Sequence, residues 1–211
     1  MISAESIPGP AYRIITSRLV IRCAEPKDAT QLDVAIRQSL DHLLPWMVWA
    51  KREPVSLQER IDYLRKVHGN FDLGIDFGYL IFNLSEAILL GGTGLHTRLG
   101  QGAREIGYWI HKDYINQGYA TEVSAALTKV AYEIDHVKRV EIHCDPKNTH
   151  SASVPNKLGF IHEATLHNRL EDSAGNLRDS MIWTLFEENY PTSLAARADI
   201  QAFDVIGRRI I

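Results

Sequence analysis

Residues 104–144, REIGYWIHKDYINQGYATEVSAALTKVAYEIDHVKRVEIHC, restrict the possible folds more than any other stretch. The segment begins with strand-forming residues and turns through Asn116, Gln117 and Gly118. It then enters a run in which Val123, Leu127, Val130, Ala131 and Ile134 recur at helical spacing. A second strand-like piece, Arg139 to Cys144, follows. Strand, helix, strand reads as a crossover between parallel neighbours, because two strands separated by a helix cannot close as a hairpin. The helix N-terminus then opens at the carboxyl edge of the sheet.

The rest of the chain surrounds that crossover with antiparallel elements. Tyr12 to Arg22 is rich in β-branched residues and predicts a strand; Glu25-Pro26 opens a helix over Lys27 to Arg37, with proline tolerated in its first turn. Leu43 to Pro54 carries two tryptophans beside prolines and reads as loop. Ser56 with Glu59 is a capping-box pattern for a helix reaching Val67. FGYLIFNL and ILLGGTGLHTR form an antiparallel pair joined through Ser85-Glu86-Ala87, and LGQGA leads into REIGYWIH. A helix over Thr149 to Leu158 ends at Gly159, and strands Phe160 to Leu166 and Ser180 to Phe186 close the sequence pattern. The expected fold is α/β of the α+β kind: a mixed, mostly antiparallel seven-stranded sheet with one parallel crossover, flanked by about four helices. Residues 1–11 form an N-terminal lead, 12–190 a single domain, and 191–211 a C-terminal extension whose apolar end packs on something.

A turn built as Asn-Gln-Gly before a helix has a use beyond connection. The N–H groups of Gln117 to Thr121 have no intrahelical partner. Gly118 permits positive φ and close approach of a ligand, and Asn116 tolerates the left-handed region. Free donors and the helix dipole together make an anion site suited to a pyrophosphate. Other phosphate loops are absent: no GxxxxGK[ST] occurs, and Gly91 to Gly94 lies inside a strand pair rather than before a helix.

Several segments together resemble the GNAT superfamily of N-acetyltransferases, and within it the ribosomal-protein N-terminal acetyltransferase (RimJ/RimL) type. They are TSRLVIR with PKDA, LPWMVWA, LLGGTGLH, EIGYWIHKDYINQGYATE and NTHSASVPNKLGF. The resemblance implies a GNAT fold and acetyl-CoA as donor. The pyrophosphate would meet Ile115, Asn116, Gln117, Gly118, Tyr119, Ala120 and Thr121, and the pantetheine would lie between splayed strands EIGYWIH and RVEIHC. Ile110, His111, Asn148 and Ser151 complete the implied donor-binding set, and a backbone N–H near Ile110 would polarise the acetyl carbonyl. The sequence departs from the superfamily's Q/R-x-x-G-x-G/A signature at Ile115, and Asn116 replaces a glycine common in the subfamily. Where many members carry a tyrosine proton donor seven residues after Asn148, Pro155 stands. Ser151, three after Asn148, is then the candidate to protonate the thiol, as the RimL-type likeness also implies.

Acetyl transfer to an amine requires the amine to be neutral. An N-terminal α-amine, pKa about 8, is about one-tenth neutral at pH 7, whereas a lysine is neutral about once in 2,500 molecules, so an α-amine asks far less of a catalytic base. Glu105, at the start of the strand bordering the thioester, is the foremost candidate base; Glu171 and His111 are the others. Trp46, Trp49, Tyr108 and Phe77 are candidate walls of an acceptor pocket, with LPWMVWA as its lid. The acceptor is read as a protein or peptide N-terminus. A small amine or peptide antibiotic is the alternative, and a non-catalytic acyl-CoA sensor the second.

Composition bears on partners and location. A net charge of −3 and 23% charged residues argue against nucleic-acid binding. Neither a signal peptide nor an apolar run approaching the ~18 residues of a membrane span is present, so a cytoplasmic protein is expected. Cys23 and Cys144, without CxxC, read as reduced thiols, and the scattered histidines lack zinc spacing, so no metal is expected. Both a monomer and a homodimer are compatible with the sequence.

Overall fold

The computed structural model describes residues 9–172 and 174–211; most of the N-terminal lead, residues 1–8, lies outside them. The chain enters through a hairpin. Where the sequence reads one strand over Tyr12 to Arg22, two form, β1 (Arg13–Ile15) and β2 (Leu19–Cys23), paired antiparallel with Arg13 opposite Arg22. The break has a local cause: the Thr16 hydroxyl accepts the N–H of Leu19 at 3.0 Å and turns the chain back. Helix α1 (Ala29–Leu43) runs past the expected end at Arg37, because Ser39 and Leu43 continue its buried face. Helix α2 (Leu57–Asp72) starts with both bonds of the capping box between Ser56 and Glu59 and extends past Val67, burying Phe71.

The meander β3 (Phe77–Asn83), β4 (Leu89–His96) and β5 (Ala103–Ile110) precedes α3 (Tyr119–Glu133), β6 (Arg139–Cys144) and α4 (Thr149–Leu158). Gly159 ends α4 with φ +87°, as its C′ position requires. Strands β7 (Ile161–Glu171) and β8 (Leu177–Phe186) follow, and β9 (Gln201–Phe203) closes the chain. The strands form one sheet of nine in the order β7-β8-β6-β5-β4-β3-β2-β1-β9. Two more strands are present than the pattern indicated: the first splits, and the C-terminal extension adds β9 to the edge of β1. That extension is tied down further by the Lys129 ammonium, which donates to the carbonyls of Ala196 and Ala198 at 3.4 and 3.0 Å.

Helices α1 and α2 cover one face of the sheet, over Val20, Leu80, Phe82 and Leu89. Helices α3 and α4 cover the other, where Leu127, Val130 and Val154 pack against Ile106, Val140 and Ile142. Each such fully buried aliphatic side chain contributes about 1.5–3 kcal/mol. Among the described residues only the β5–β6 ladder is parallel, and it pairs Ala103, Arg104 and Glu105 with Arg139, Val140 and Glu141. Beyond Glu105 the two strands part. Among the described residues no helix is long and apolar enough to cross a membrane.

Candidate active site

The parting of β5 and β6 leaves backbone groups without a ladder. The N–H of His111 donates to the Leu90 carbonyl at 2.8 Å. By antiparallel alternation, Gly107 and Trp109 therefore bond β4, and the N–H and C=O of Tyr108 and Ile110 face the gap. A cavity of about 1130 Å³ runs along this gap, lined on the β5 side by Ile106, Gly107 and Tyr108 and on the β6 side by Ile142, His143 and Cys144. An extended, amide-bearing chain laid here would meet the donors and acceptors a missing strand would have used.

At the end of β5 the chain makes the turn that the sequence singled out. Gly118 takes φ +82° as the N-cap of α3, and Asn116 takes φ +60°. The first bond of α3 runs from the Glu122 N–H to the Gly118 carbonyl at 3.0 Å. Among the described residues no acceptor takes the N–H of Gln117, Gly118, Tyr119, Ala120 or Thr121, and Asn116, Gln117 and Gly118 are exposed. Open amides at a helix start fit a pyrophosphate. Ile115 brings no cation to this turn, but Arg18 stands beside it. This residue reaches from the β1–β2 turn to bond the Gln117 carbonyl (3.0 Å), pair with Glu122 (2.6 Å) and lie 4.5 Å from the centre of the Tyr119 ring. Nothing in the sequence pattern signalled that neighbour, because 99 residues separate Arg18 from Gln117.

Asn148 caps α4: its Oδ1 accepts the Ser151 N–H at 3.1 Å. The cap turns the Ser151 hydroxyl into the gap, 3.1 Å from the Tyr108 hydroxyl. Both hydroxyls line the cavity beside Cys144. Burial pushes the Tyr108 phenol above its ordinary value, with the Ser151 hydrogen bond pulling the other way. Burial likewise raises the Cys144 thiol to about 11. Tyr108 was read as an acceptor wall; the structure adds its partnership with Ser151.

The other candidates separate. Trp46 and Trp49 line the cavity on the α1–α2 side of the sheet, with the Trp49 ring 6.3 Å from that of Trp109. Trp46 is held there by Arg178, whose guanidinium donates to its carbonyl at 3.1 Å. Glu105 is buried and lines the same cavity, but Arg98 binds both its oxygens, through Nε at 2.7 Å and through Nη2. His111, another candidate base, is engaged at both ring nitrogens. Its Nδ1 accepts the Asp113 N–H (3.2 Å) and its Nε2 meets Gln38 (2.9 Å), so this buried ring fastens β5 to α1. Glu171 stands exposed at the end of β7, outside the cavity lining. Phe77 is a core residue, packed on Phe71 with ring centres 5.2 Å apart. Among the described residues no group of three or more His, Cys, Asp or Glu could hold a metal ion.

A parallel strand pair that splays beside a donor-rich helix start, with hydroxyls at the gap, makes one site able to take an anion at the helix start and an extended amide chain along the open strand edge. Residues 18–161 match the family described as "Acetyltransferase (GNAT) domain". Of curated proteins, "Putative ribosomal N-acetyltransferase YdaF" of Bacillus subtilis (strain 168) is 31% identical over 161 residues, 74% of this chain and 85% of that protein. Two solved structures share the fold at a TM-score of 0.74. The microcin C7 self-immunity acetyltransferase MccE, in complex with acetyl-CoA and AMP, is 17% identical and aligns over 81% of this chain and 93% of its own. The ribosomal L7/L12 α-N-protein acetyltransferase RimL, in complex with coenzyme A, is 18% identical over 83% and 97%. The chain belongs to the GNAT family and is an N-acetyltransferase.

Proposed function

We propose that this enzyme transfers the acetyl group of acetyl-CoA to the α-amine of a protein or peptide N-terminus, of the ribosomal-protein type, in a ternary complex. One observation carries the reading: a single cavity crosses the sheet through the β5–β6 gap. It joins the hydroxyls under α4 to the tryptophan-walled space under α1 and α2. A thioester donor and an amine acceptor can therefore meet from opposite faces. The name of the relative YdaF supports the acceptor class.

The chain's own groups divide the work. Amides of Gln117 to Thr121 receive the pyrophosphate, and the Tyr108 and Ile110 backbone edge receives the pantetheine, with the Ile110 N–H directed at the acetyl oxygen. Acetyl-CoA supplies the activated acyl group. Ser151, coupled to Tyr108, delivers a proton to the departing sulfur, and Asn148 fixes the turn that aims it. Glu105, clamped by Arg98, lends the acceptor side a buried carboxylate that favours an ammonium group.

A second reading is a small amine bearing a planar group, which the Trp49–Trp109 wall would suit. The deciding experiment follows free-thiol release from acetyl-CoA with peptides starting in Ser, Ala and Met beside a panel of small amines. Turnover with peptides alone is the expected result; turnover with small amines alone overturns the peptide reading.

A further inference from the structure

The arrangement of side chains on the α1–α2 face assigns the proton-accepting role to a residue outside the predicted set. His96, at the end of β4, stands directly opposite Glu105 in the β4–β5 ladder, and Glu105 stands opposite Glu141 in β6. Residues paired in this way share a face. The ring of His96 is held by Asp76, whose carboxylate lies 2.9 and 3.0 Å from Nδ1. Asp76 is itself fixed by the Thr97 N–H at 3.3 Å. Burial would push that carboxyl up, but His96, the Thr97 amide and Arg98 hold it below its ordinary value.

Nδ1 is thus committed, and Nε2 is turned back along the strand toward the splay. Two glycines clear its path. A Cβ on Gly94 would lie 2.5 Å from Nε2, and one on Gly107, on the neighbouring strand, 3.3 Å. His96, Gly94 and Gly107 all line the cavity, and no hydrogen-bond acceptor or donor among the described residues occupies His96 Nε2. Glu105, by contrast, has both oxygens engaged by Arg98. Asp76 contacts the imidazole and Glu105 is its ladder partner; Arg98, His143, Glu59, Arg60 and Tyr63 are among the other charged and titratable groups that line the same cavity.

From this geometry we propose that His96, oriented by Asp76, is the general base of the reaction: Nε2 takes the proton of the acceptor ammonium on the face opposite Ser151 and Tyr108. His96 accepts one proton from the ammonium, freeing the nitrogen lone pair. The N–C bond to the acetyl carbon forms while the C–S bond breaks. Ser151, backed by Tyr108, protonates the sulfur and is replenished by the second proton leaving the nitrogen, and the imidazolium returns its own proton to water. His96 is a catalytic residue in this scheme; Asp76 is a positioning residue that fixes the tautomer.

The assignment rests on the acetyl transfer proposed above, and its test is built to keep the two apart. Acetyl-CoA binding by calorimetry, thiol-release kinetics and thermal melting are measured on the wild type and on His96→Ala, Asp76→Asn and Asp76→Glu. His96→Ala is expected to lose about 10²–10⁴-fold in kcat with acetyl-CoA binding intact, since a positioned base contributes that much. Imidazole added to the medium should restore part of the loss, and the acid limb of the kcat/KM profile should move up to that of the amine itself, about 8. Asp76→Asn should lower kcat by less, at unchanged KM, and Asp76→Glu should recover part of it. A purely structural role would move the melting temperature without touching the acid limb. Wild-type turnover beside a His96→Ala variant of unchanged kcat and unchanged acid limb overturns the base assignment alone. A wild-type chain that binds acetyl-CoA and yet is silent with every amine overturns the function, and the base with it.

Discussion

The pyrophosphate reading hinges on the backbone at Gly118, and Gly118→Ala tests it with a magnitude set by the structure. The residue sits at φ +82°, where an L side chain costs about 1–2 kcal/mol. Space is not the difficulty: an added Cβ would find only the Arg18 guanidinium, 3.5 Å away, at ordinary contact distance. The cost can therefore appear in only two places. If the free loop keeps its left-handed turn, the folded state is destabilised by that amount, which lowers Tm by about 2–8 °C in a chain of this size. If the loop relaxes instead, the turn must be rebuilt on binding, and Kd for acetyl-CoA weakens about 5–30-fold, at 1.4 kcal/mol per decade. The two losses should sum to about 1–2 kcal/mol. Calorimetry and thermal melting of the same preparations measure both. Asn116→Gly, at φ +60°, is the control, because it relieves a left-handed side chain and should weaken neither. A Gly118→Ala chain with wild-type Tm and wild-type Kd refutes the reasoning.

Three further outcomes are expected. Ser151→Ala should cut kcat by about 10²-fold or more while leaving Tm near wild type, since the α4 cap uses its backbone N–H rather than its hydroxyl; Tyr108→Phe should show a smaller loss of the same kind. Cys144, with its thiol raised by burial to about 11 from an ordinary 9.0, should resist iodoacetamide at pH 8 until the protein is unfolded. Because its folded value is raised, its contribution to stability is complete below pH 9 and is lost as pH rises through 11, so chemical denaturation midpoints should fall across that window. Arg98→Gln should destabilise the fold more than Glu105→Gln, because it strands a carboxylate whose side chain is 8% exposed, whereas the reverse change frees a guanidinium that is 61% exposed and open to water. Thermal melts at pH 7 in which Glu105→Gln proves the less stable would contradict that order.

What the sequence made legible is what the backbone does locally. Gly118 and Asn116 announce a left-handed turn, Ser56 and Glu59 a helix start, Gly159 a helix end, and the crossover between REIGYWIH and RVEIHC a parallel pair; each is written within a few residues. What it left hidden depends on registry between distant strands. His96 looks like one more polar strand-end residue until β4 is laid against β5, when Gly94 and Gly107 become the space its ring occupies. Arg98 looks like a turn arginine until the same pairing sets it on Glu105. His111 went the other way: its place two residues before the turn suggested chemistry, and only Gln38, 73 positions away, shows that the ring is a fastener. Thr16 broke a strand that composition alone would have continued, because a hydroxyl that accepts backbone N–H groups is a turn signal that competes with β-branching.

The division also bears on how much of the site could change without losing it. Donor binding as proposed relies on amides, which any sequence presents once the turn and the splay exist. The replacement of a signature Gln or Arg by Ile115 therefore removes one side-chain contact, with Arg18 held by Glu122 beside the same turn. The proposed acceptor side relies on side chains fixed by other side chains, His96 by Asp76 and Glu105 by Arg98, and on the Trp46 backbone carbonyl held by Arg178. A substitution there disturbs groups that, in the proposed reaction, must meet a nitrogen lone pair. It follows that variants on the α1–α2 face should alter which amine is acetylated, and variants of the turn should alter how tightly the donor is held. A double substitution pairing a variant of the turn with one on the α1–α2 face should give nearly additive losses in kcat/KM.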